Sequence, residues 1–240
     1  ARSIGDLRLA LDAMSQPDIR DPWYVGMPLT GVAVPKKLAI CITPDGLMVD
    51  RQIKIHLQQA AGKIAAAGWE VDEGSLPPVR VAMENQLMLW MAEMEQDASG
   101  ALAREQDPDA ILVHSRLVAR CPNSSLDNIM EVLQTRATLT RQWQEFLQTY
   151  PVVLCPVSGQ LPFKDLLDLQ TQTDFDEIIE AQMLQIGLPF MGLPCLAVAT
   201  GQAGDRPVGV QLVASHFREG LLLDIGEIIG KTIPVVTPEF

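Results

Sequence analysis

The sequence predicts an α/β fold, a mixed β-sheet flanked by helices, and two observations carry that prediction. Four short apolar runs, residues 38–42, 152–156, 195–200 and 208–214, are rich in β-branched residues and continuous enough to read as strands covered on both faces. Between them lie longer stretches whose apolar residues recur at helical spacing. The last two runs are separated only by Gly201-Gln-Ala-Gly-Asp205, a loop of hairpin length with two glycines, so they are expected to pair as neighbours. Residues 69–72 form a fifth, shorter strand, expected at an edge of the same sheet.

The elements follow in order. Ser3 with Asp6 opens a first helix whose expected stripe is Ile4, Leu7, residues 9–11 and Met14, ended by Pro17 and the acids near it. Residues 22–35 hold Pro22, Gly26, Pro28, Gly31 and Pro35 and read as a covering strap. The strand at 38–42, a turn at 43–46, a helix at 50–67 and the strand at 69–72 make a strand–helix–strand unit with a crossover. Ile53, Leu57, Ala60 or Ala61, and Ile64 form the buried side of that helix, and Gly68 ends it. A Met-rich helix is expected over 79–104, where Met83, Met88, Met91 and Met94 read as adaptable core. A shorter helix follows at 109–119. Ser124 or Ser125 then caps a long helix at 126–149 with Ile129, Leu133, Ala137, Leu139 or Thr140, Trp143 and Leu147 inward. A helix at 175–185 leads to a doubled Gly-Leu-Pro (187–189 and 192–194), expected to turn the chain into the hairpin. A last helix spans 218–229, and Pro234 and Pro238 mark a tail.

Composition excludes several classes of function. The net charge is −12 with the acids scattered, which is a solvated surface and no footprint for nucleic acid. No apolar run approaches the roughly 20 residues of a membrane helix. Four well-separated cysteines, Cys41, Cys121, Cys155 and Cys195, suit reduced thiols and a cytoplasmic setting. His56, His114 and His216 lack ligand spacing, so no metal is expected. No dinucleotide fingerprint occurs, and Gly226 to Thr232 imitates a phosphate loop only at its Gly-Lys-Thr end, so no cofactor is implied. The chain opens on Ala-Arg-Ser, and the expectation is that further residues precede it.

Nucleophile motifs are equally sparse. There is no Gly-x-Ser-x-Gly, and Ser158-Gly159 lacks the leading glycine. Cys155 ends a buried strand beside a loop, but nothing local would lower its pKa as nucleophilic attack requires.

Four segments, taken together, carry a resemblance. Gly192-Leu-Pro194, an apolar strand, a glycine loop and Pro207-Val-Gly-Val-Gln211-Leu-Val213 resemble the C-terminal motif of amidase-signature hydrolases. Residues 1–7, residues 37–43 with Gly68-Trp-Glu-Val71, and Val152-Val-Leu-Cys-Pro156 look like further segments of that family in the same order. Pro189 stands where the family often has Asn, and Asp205 where a Gly is usual. The resemblance implies that all 240 residues are the C-terminal portion of one α/β/α sandwich. Residues 1–35 would be helix and strap, 36–72 strand–helix–strand, 78–149 the helical cover of the pocket, and 150–240 sheet, hairpin and terminal helix. It also implies hydrolysis of a small or aryl amide through a serine acyl-enzyme, with the nucleophilic serine, bridging cis-serine and base lysine outside this chain. Its contribution here would be scaffold and acyl-pocket walls, with Cys155, Pro156, Phe190 and Met191 as pocket candidates. Partners expected on this basis are a small-molecule amide and, for the chain alone, a second copy in a homodimer. Two rivals remain at this point: a non-catalytic interaction module built on the same fold, and an independent hydrolase using Cys155. On the leading reading, Cys155, Phe190, Met191 and the 192–194 turn are expected to border an exposed apolar surface.

Overall fold

The computed structural model describes residues 1, 3–97, 100–121 and 125–230. At its centre is a five-stranded sheet in the order β2-β1-β3-β5-β4. The strands are β1 (Lys37–Ile40), β2 (Glu70–Glu73), β3 (Val152–Pro156), β4 (Cys195–Ala203) and β5 (Arg206–Ala214). β1 is parallel to both β2 and β3, whereas β5 is antiparallel to β3 and β4. The expected mixed sheet is therefore present, with the hairpin intact and the 70–73 strand at an edge. The hairpin strands run longer than their apolar cores: β4 continues to Ala203, β5 begins at Arg206, and the register shifts between Ala199 and Gly201.

Pairing assigns the side chains to two faces, because residues opposite one another point the same way. Ile40, Leu154, Leu212 and Leu196 form one row. That face is covered by α2 (Arg51–Ala66) and α9 (Glu219–Gly230), and Gly226 of α9 lies against Leu196. Ala39, Val153, Val213 and Cys195 form a row on the opposite face. All of β3 is buried, as a strand clad on both sides must be. Asp50 caps α2 by accepting from the Gln52 amide at 2.7 Å, and Ile53, Leu57, Ala60, Ala61 and Ile64 form its buried stripe.

The helical cover comprises α3 (Arg80–Asp97), α4 (Ala101–Glu105), α5 (Pro108–Arg120) and α6 (Leu126–Thr149). The helix expected over 79–104 is thus interrupted, with residues 98–99 outside the described set. Met83 and Met91 are core, and Met94 is turned outward. Asp45, in the 43–46 turn, reaches across to accept from the Val79 and Arg80 amides at 2.6 and 2.8 Å, closing the start of α3. Ser125 caps α6 by accepting from the Asn128 amide at 3.1 Å, while Ser124 lies outside the described residues. α6 buries Val132, Leu139, Trp143 and Leu147. Leu133 is 43% exposed and Ala137 is exposed too, both corrections to the expected stripe. The helix meets the core chiefly along its C-terminal half, so its first turns follow no single apolar side.

The helix expected at 175–185 is two: α7 (Gln172–Ala181), opened by a Thr171–Asp174 capping box, and α8 (Met183–Phe190). The first Gly-Leu-Pro is therefore no turn. It lies inside α8, where Gly187 packs on α3, and only the second triplet turns the chain, at Gly192 with φ 66°.

α1 (Ile4–Met14) starts at Ser3, whose hydroxyl accepts from the Asp6 amide, and lies on α9, with Arg8 2.8 Å from Asp224. Residues 15–36 contain no helix or strand and run along the surface. Arg218 donates to the Val32 carbonyl at 3.1 Å and holds that strap at its far end. The expected tail at 231–240 lies outside the described residues.

The two sheet edges differ sharply. β2 is four residues long and carries Glu70, Asp72 and Glu73, with Lys37 3.0 Å from both Glu70 and Asp72. β4 is nine residues long, has no charged residue, and among the described residues pairs with no strand on its outer side. Charge and brevity protect the first edge, and nothing comparable protects the second.

Candidate functional site

Gly159 organises a concave region at the end of the sheet. Its amide donates to the Ala181 carbonyl and its carbonyl accepts from the Asp50 amide, both at 2.8 Å. The loop after β3, the start of α2 and the end of α7 thereby meet at one residue. A Cβ there would lie 2.5 Å from the Met48 carbonyl oxygen, so only glycine permits the approach.

Beside this junction lies a cavity of about 380 Å³. Its floor is the hairpin, where Ala197, Ala199 and Gly209 keep the sheet surface low. Leu161, Pro162 and Phe163 of the loop after β3 form one wall, with Ile53 of α2 beneath. Gln182 and Gln185 stand on the α7–α8 side. Because α7 stops at Ala181 and α8 starts at Met183, Gln182 occupies the junction itself. Gln185 donates to the Val157 carbonyl at 3.2 Å, which ties α8 to the loop and leaves its amide oxygen as an acceptor. Ser158 accepts from the Gln160 amide at 3.2 Å. Among the described residues that line it, none is ionisable.

None of the sequence-based pocket candidates lines this cavity. Cys155 and Pro156 are buried in β3, Phe190 ends α8 with no exposed surface, and Met191 is 2% exposed. The lining begins one residue beyond Pro156, at Val157. These residues therefore do not border an exposed apolar surface, which corrects that expectation: α8 folds Phe190 and Met191 into the core. The exposed sheet surface is instead on β4, at Cys195, Ala197 and Ala199. Around Phe190 the Arg136 guanidinium lies 6.0 Å from the ring centre, and the Met191 carbonyl accepts from His216 Nε2 at 2.9 Å.

The reactive side chains are held in structural roles. Burial pushes the Cys155 thiol well above its ordinary pKa, and the nearby Cys195 and Cys41 thiols push it the same way. A thiol so placed is neither ionised nor reachable, so Cys155 is no nucleophile here. Thr200 donates to the Val208 carbonyl at 3.1 Å and so accepts from His56 Nδ1 at 3.0 Å, which fixes His56 at the hairpin irregularity. Among the described residues no histidine is hydrogen-bonded to a serine or cysteine side chain. Sequence reasoning missed Gln182, Gln185 and the loop at 157–163; the only trace of them was Ser158-Gly159 after a strand.

Comparison with known proteins gives this geometry its setting. Residues 1–223 match the family model described as Amidase. An indoleacetamide hydrolase from Bradyrhizobium japonicum is 30% identical over 239 residues, covering 98% of this chain and 51% of the relative. A component of the glutamyl-tRNA(Gln) amidotransferase from Archaeoglobus fulgidus is 28% identical over 104 residues, covering 42% of this chain and 21% of the relative. The chain spans about half the length of the indoleacetamide hydrolase it matches. Among solved structures, a 6-aminohexanoate cyclic dimer hydrolase complexed with substrate superposes with a TM-score of 0.76 at 18% identity, over 98% of this chain and 54% of that one. The corresponding component of the Thermotoga maritima glutamyl-tRNA(Gln) amidotransferase gives 0.74 at 17% identity, over 98% and 52%. The sheet, its helical cover and the matched sequence agree: this chain belongs to the amidase family.

Proposed function

We propose that this chain is the C-terminal scaffold and pocket wall of a carbon–nitrogen bond hydrolase acting on a small or aryl amide. The observation that carries the proposal is the outer edge of β4, nine residues without a charge beside exposed Cys195, Ala197 and Ala199. An edge of that kind is suited to continued pairing, and its occupant is an amidase-type core bearing the lysine and the two serines. That core supplies the chemistry. A serine oxygen, its proton drawn by the lysine through the second serine, bonds to the amide carbonyl carbon. The C–N bond breaks, the amine leaves with a proton, and water hydrolyses the ester. Backbone N–H groups stabilise the oxyanion. The cavity beside β4 receives the acyl group. Cys155, Pro156, Phe190 and Met191 back it from the core and hold its walls in place.

The test is ammonia release from indole-3-acetamide. The purified 240-residue chain is expected to release none, because removing nucleophile and base costs many orders of magnitude in rate. Joined to the N-terminal core of the Bradyrhizobium japonicum relative, it is expected to turn the amide over. Turnover by the chain alone, abolished by Cys155→Ser, would overturn the reading. The chain alone is also expected to form homodimers through the β4 edge, read as concentration-dependent mass in sedimentation.

A further inference from the structure

The cavity beside β4 has a chemical character that selects its ligand. Its volume, about 380 Å³, lies at the small end of the range for small-molecule pockets, and it offers the space of roughly a dozen waters. Ala197, Ala199 and Gly209 leave a flat floor, and Phe163 stands at one wall. A flat floor with an aromatic wall suits a planar ring, which gains contact area on both sides. Among the described residues the lining's polar atoms are all neutral and belong to Ser158, Gln160, Gln182, Gln185 and the backbone. Ser158 accepts from the Gln160 amide and Gln185 donates to the Val157 carbonyl, so both are oriented within the protein. Gln160 and Gln182 have no side-chain hydrogen-bond partner among the described residues; Gln160 is exposed, whereas Gln182 is half-buried at the helix junction.

We propose that this cavity is a specificity site for an uncharged, planar acyl group, and that Gln182 reads its polar edge. The inference rests on the amide-hydrolase reading and narrows it. The polar edge of such a group, an aromatic ring N–H or ring acceptor, finds both an acceptor and a donor in an unpaired glutamine amide, while the scissile amide lies outside the cavity at the nucleophile. A ligand bearing a carboxylate or an ammonium would meet no countercharge from this chain's described lining residues and lose its hydration without return. The site therefore discriminates by charge. It fits the aryl amide in the name of the Bradyrhizobium japonicum hydrolase, and it does not fit a zwitterionic amino-acid amide such as free glutamine. Gln182 acts as a positioning and selecting residue, with no part in bond making.

Binding to the 240-residue chain, followed by ligand-detected NMR and titration calorimetry, tests this without any need for turnover. Indole-3-acetamide is expected to bind and to protect ring protons against Phe163. L-Glutamine and indole-3-acetate are each expected to bind at least about 100-fold more weakly. Gln182→Glu is expected to weaken indole-3-acetamide about 10-fold by replacing a donor with a charge. Ala199→Trp is expected to abolish binding by filling the floor. Both positions have exposed or half-exposed side chains, and an unchanged circular dichroism melt shows that each variant folds. Equal binding of the three ligands, or unchanged binding in both variants, would overturn the inference. Selective binding without ammonia release from the joined enzyme would count against the hydrolase reading alone. Ammonia release from charged and neutral amides alike would count against the specificity site alone.

Discussion

Gly62 and Gly187 put one substitution into two environments, and alanine at the two positions is expected to change stability in opposite directions. Both lie inside helices, α2 and α8, where glycine costs roughly 0.5–1 kcal/mol relative to alanine through backbone entropy. At Gly62 an added methyl meets nothing within 4 Å, so Gly62→Ala collects that gain whole, about 0.5–1 kcal/mol. At Gly187 the same methyl lies 2.8 Å from the Val79 carbonyl oxygen, 2.9 Å from Val79 Cγ1 and 3.2 Å from the Met83 amide. Two of those atoms are backbone at the start of α3, which is pinned by Asp45 and cannot yield by a rotamer change. Overpacking of this kind costs about 1–3 kcal/mol. Set against the propensity gain, Gly187→Ala is expected to lose about 1–2 kcal/mol. For a chain of this size each kcal/mol moves the Tm by about 2–4 °C. Urea unfolding with an unchanged m-value, alongside thermal melts, reads both signs. A Gly187→Ala variant as stable as the parent, with Gly62→Ala stabilised as expected, would show that α8 and α3 are not in the tight contact described.

Three further outcomes follow from particular contacts. Asp45→Ala strips two amides at the start of α3 of their acceptor and is expected to cost about 1–2 kcal/mol in urea unfolding, whereas Asp45→Asn, which keeps an acceptor and tolerates the φ of 47°, costs less than half of that. The Arg80 guanidinium, paired with both oxygens of Glu180, holds that carboxyl below its ordinary 4.5, so the pair stabilises the fold above pH 4.5 and the contribution is lost as pH falls through the lower folded-state value. Thermal melts from pH 6 to pH 3 are expected to fall less steeply below pH 4.5 in Glu180→Gln, by no more than about 1 kcal/mol because the pair is partly exposed. Ellman's reagent at pH 8 is expected to leave Cys155 unlabelled in the folded chain and to label it only as the chain unfolds; rapid labelling of Cys155 in native protein would contradict its burial.

How much of this was legible in the sequence depends on what each residue answers to. The strands were readable because burial on both faces demands an unbroken apolar run, and Val152-Val-Leu-Cys-Pro156 meets that demand with its own letters. Asp50 and Ser125 were readable as helix starts for a similarly local reason: the acceptor serves an amide two or three residues on. The two Gly-Leu-Pro triplets were not distinguishable. Identical in letters, one is a turn at Gly192 and the other a helical contact at Gly187, and the difference is Val79, over a hundred residues away. The stripe on α6 failed on its first turns because the side turned to the core there is that of Val132, which leaves Leu126, Met130 and Leu133 exposed.

The cavity escaped sequence reading because none of its residues is unusual where it stands. Gln182 and Gln185 are ordinary letters for a helix surface, and a serine followed by a glycine is ordinary for a loop. They become a site only because Gly159 draws the loop, α2 and α7 to one point and because β4 and β5 carry small residues there. Charged and nucleophilic groups are what a sequence makes conspicuous, and the most conspicuous was Cys155, which the fold places where no reagent reaches. The property that distinguishes the site is the absence of charge over a wall built from α2, α7, α8, the hairpin and one loop. That property belongs to the assembled surface and to no segment of it. A site that selects by excluding charge leaves no motif, since its requirement at each position is satisfied by any neutral side chain of suitable size. Gln182 is the exception, where a neutral amide is asked to be neutral and polar together. Substitution there to glutamate, nearly the same in volume, is accordingly the most economical perturbation of the whole site.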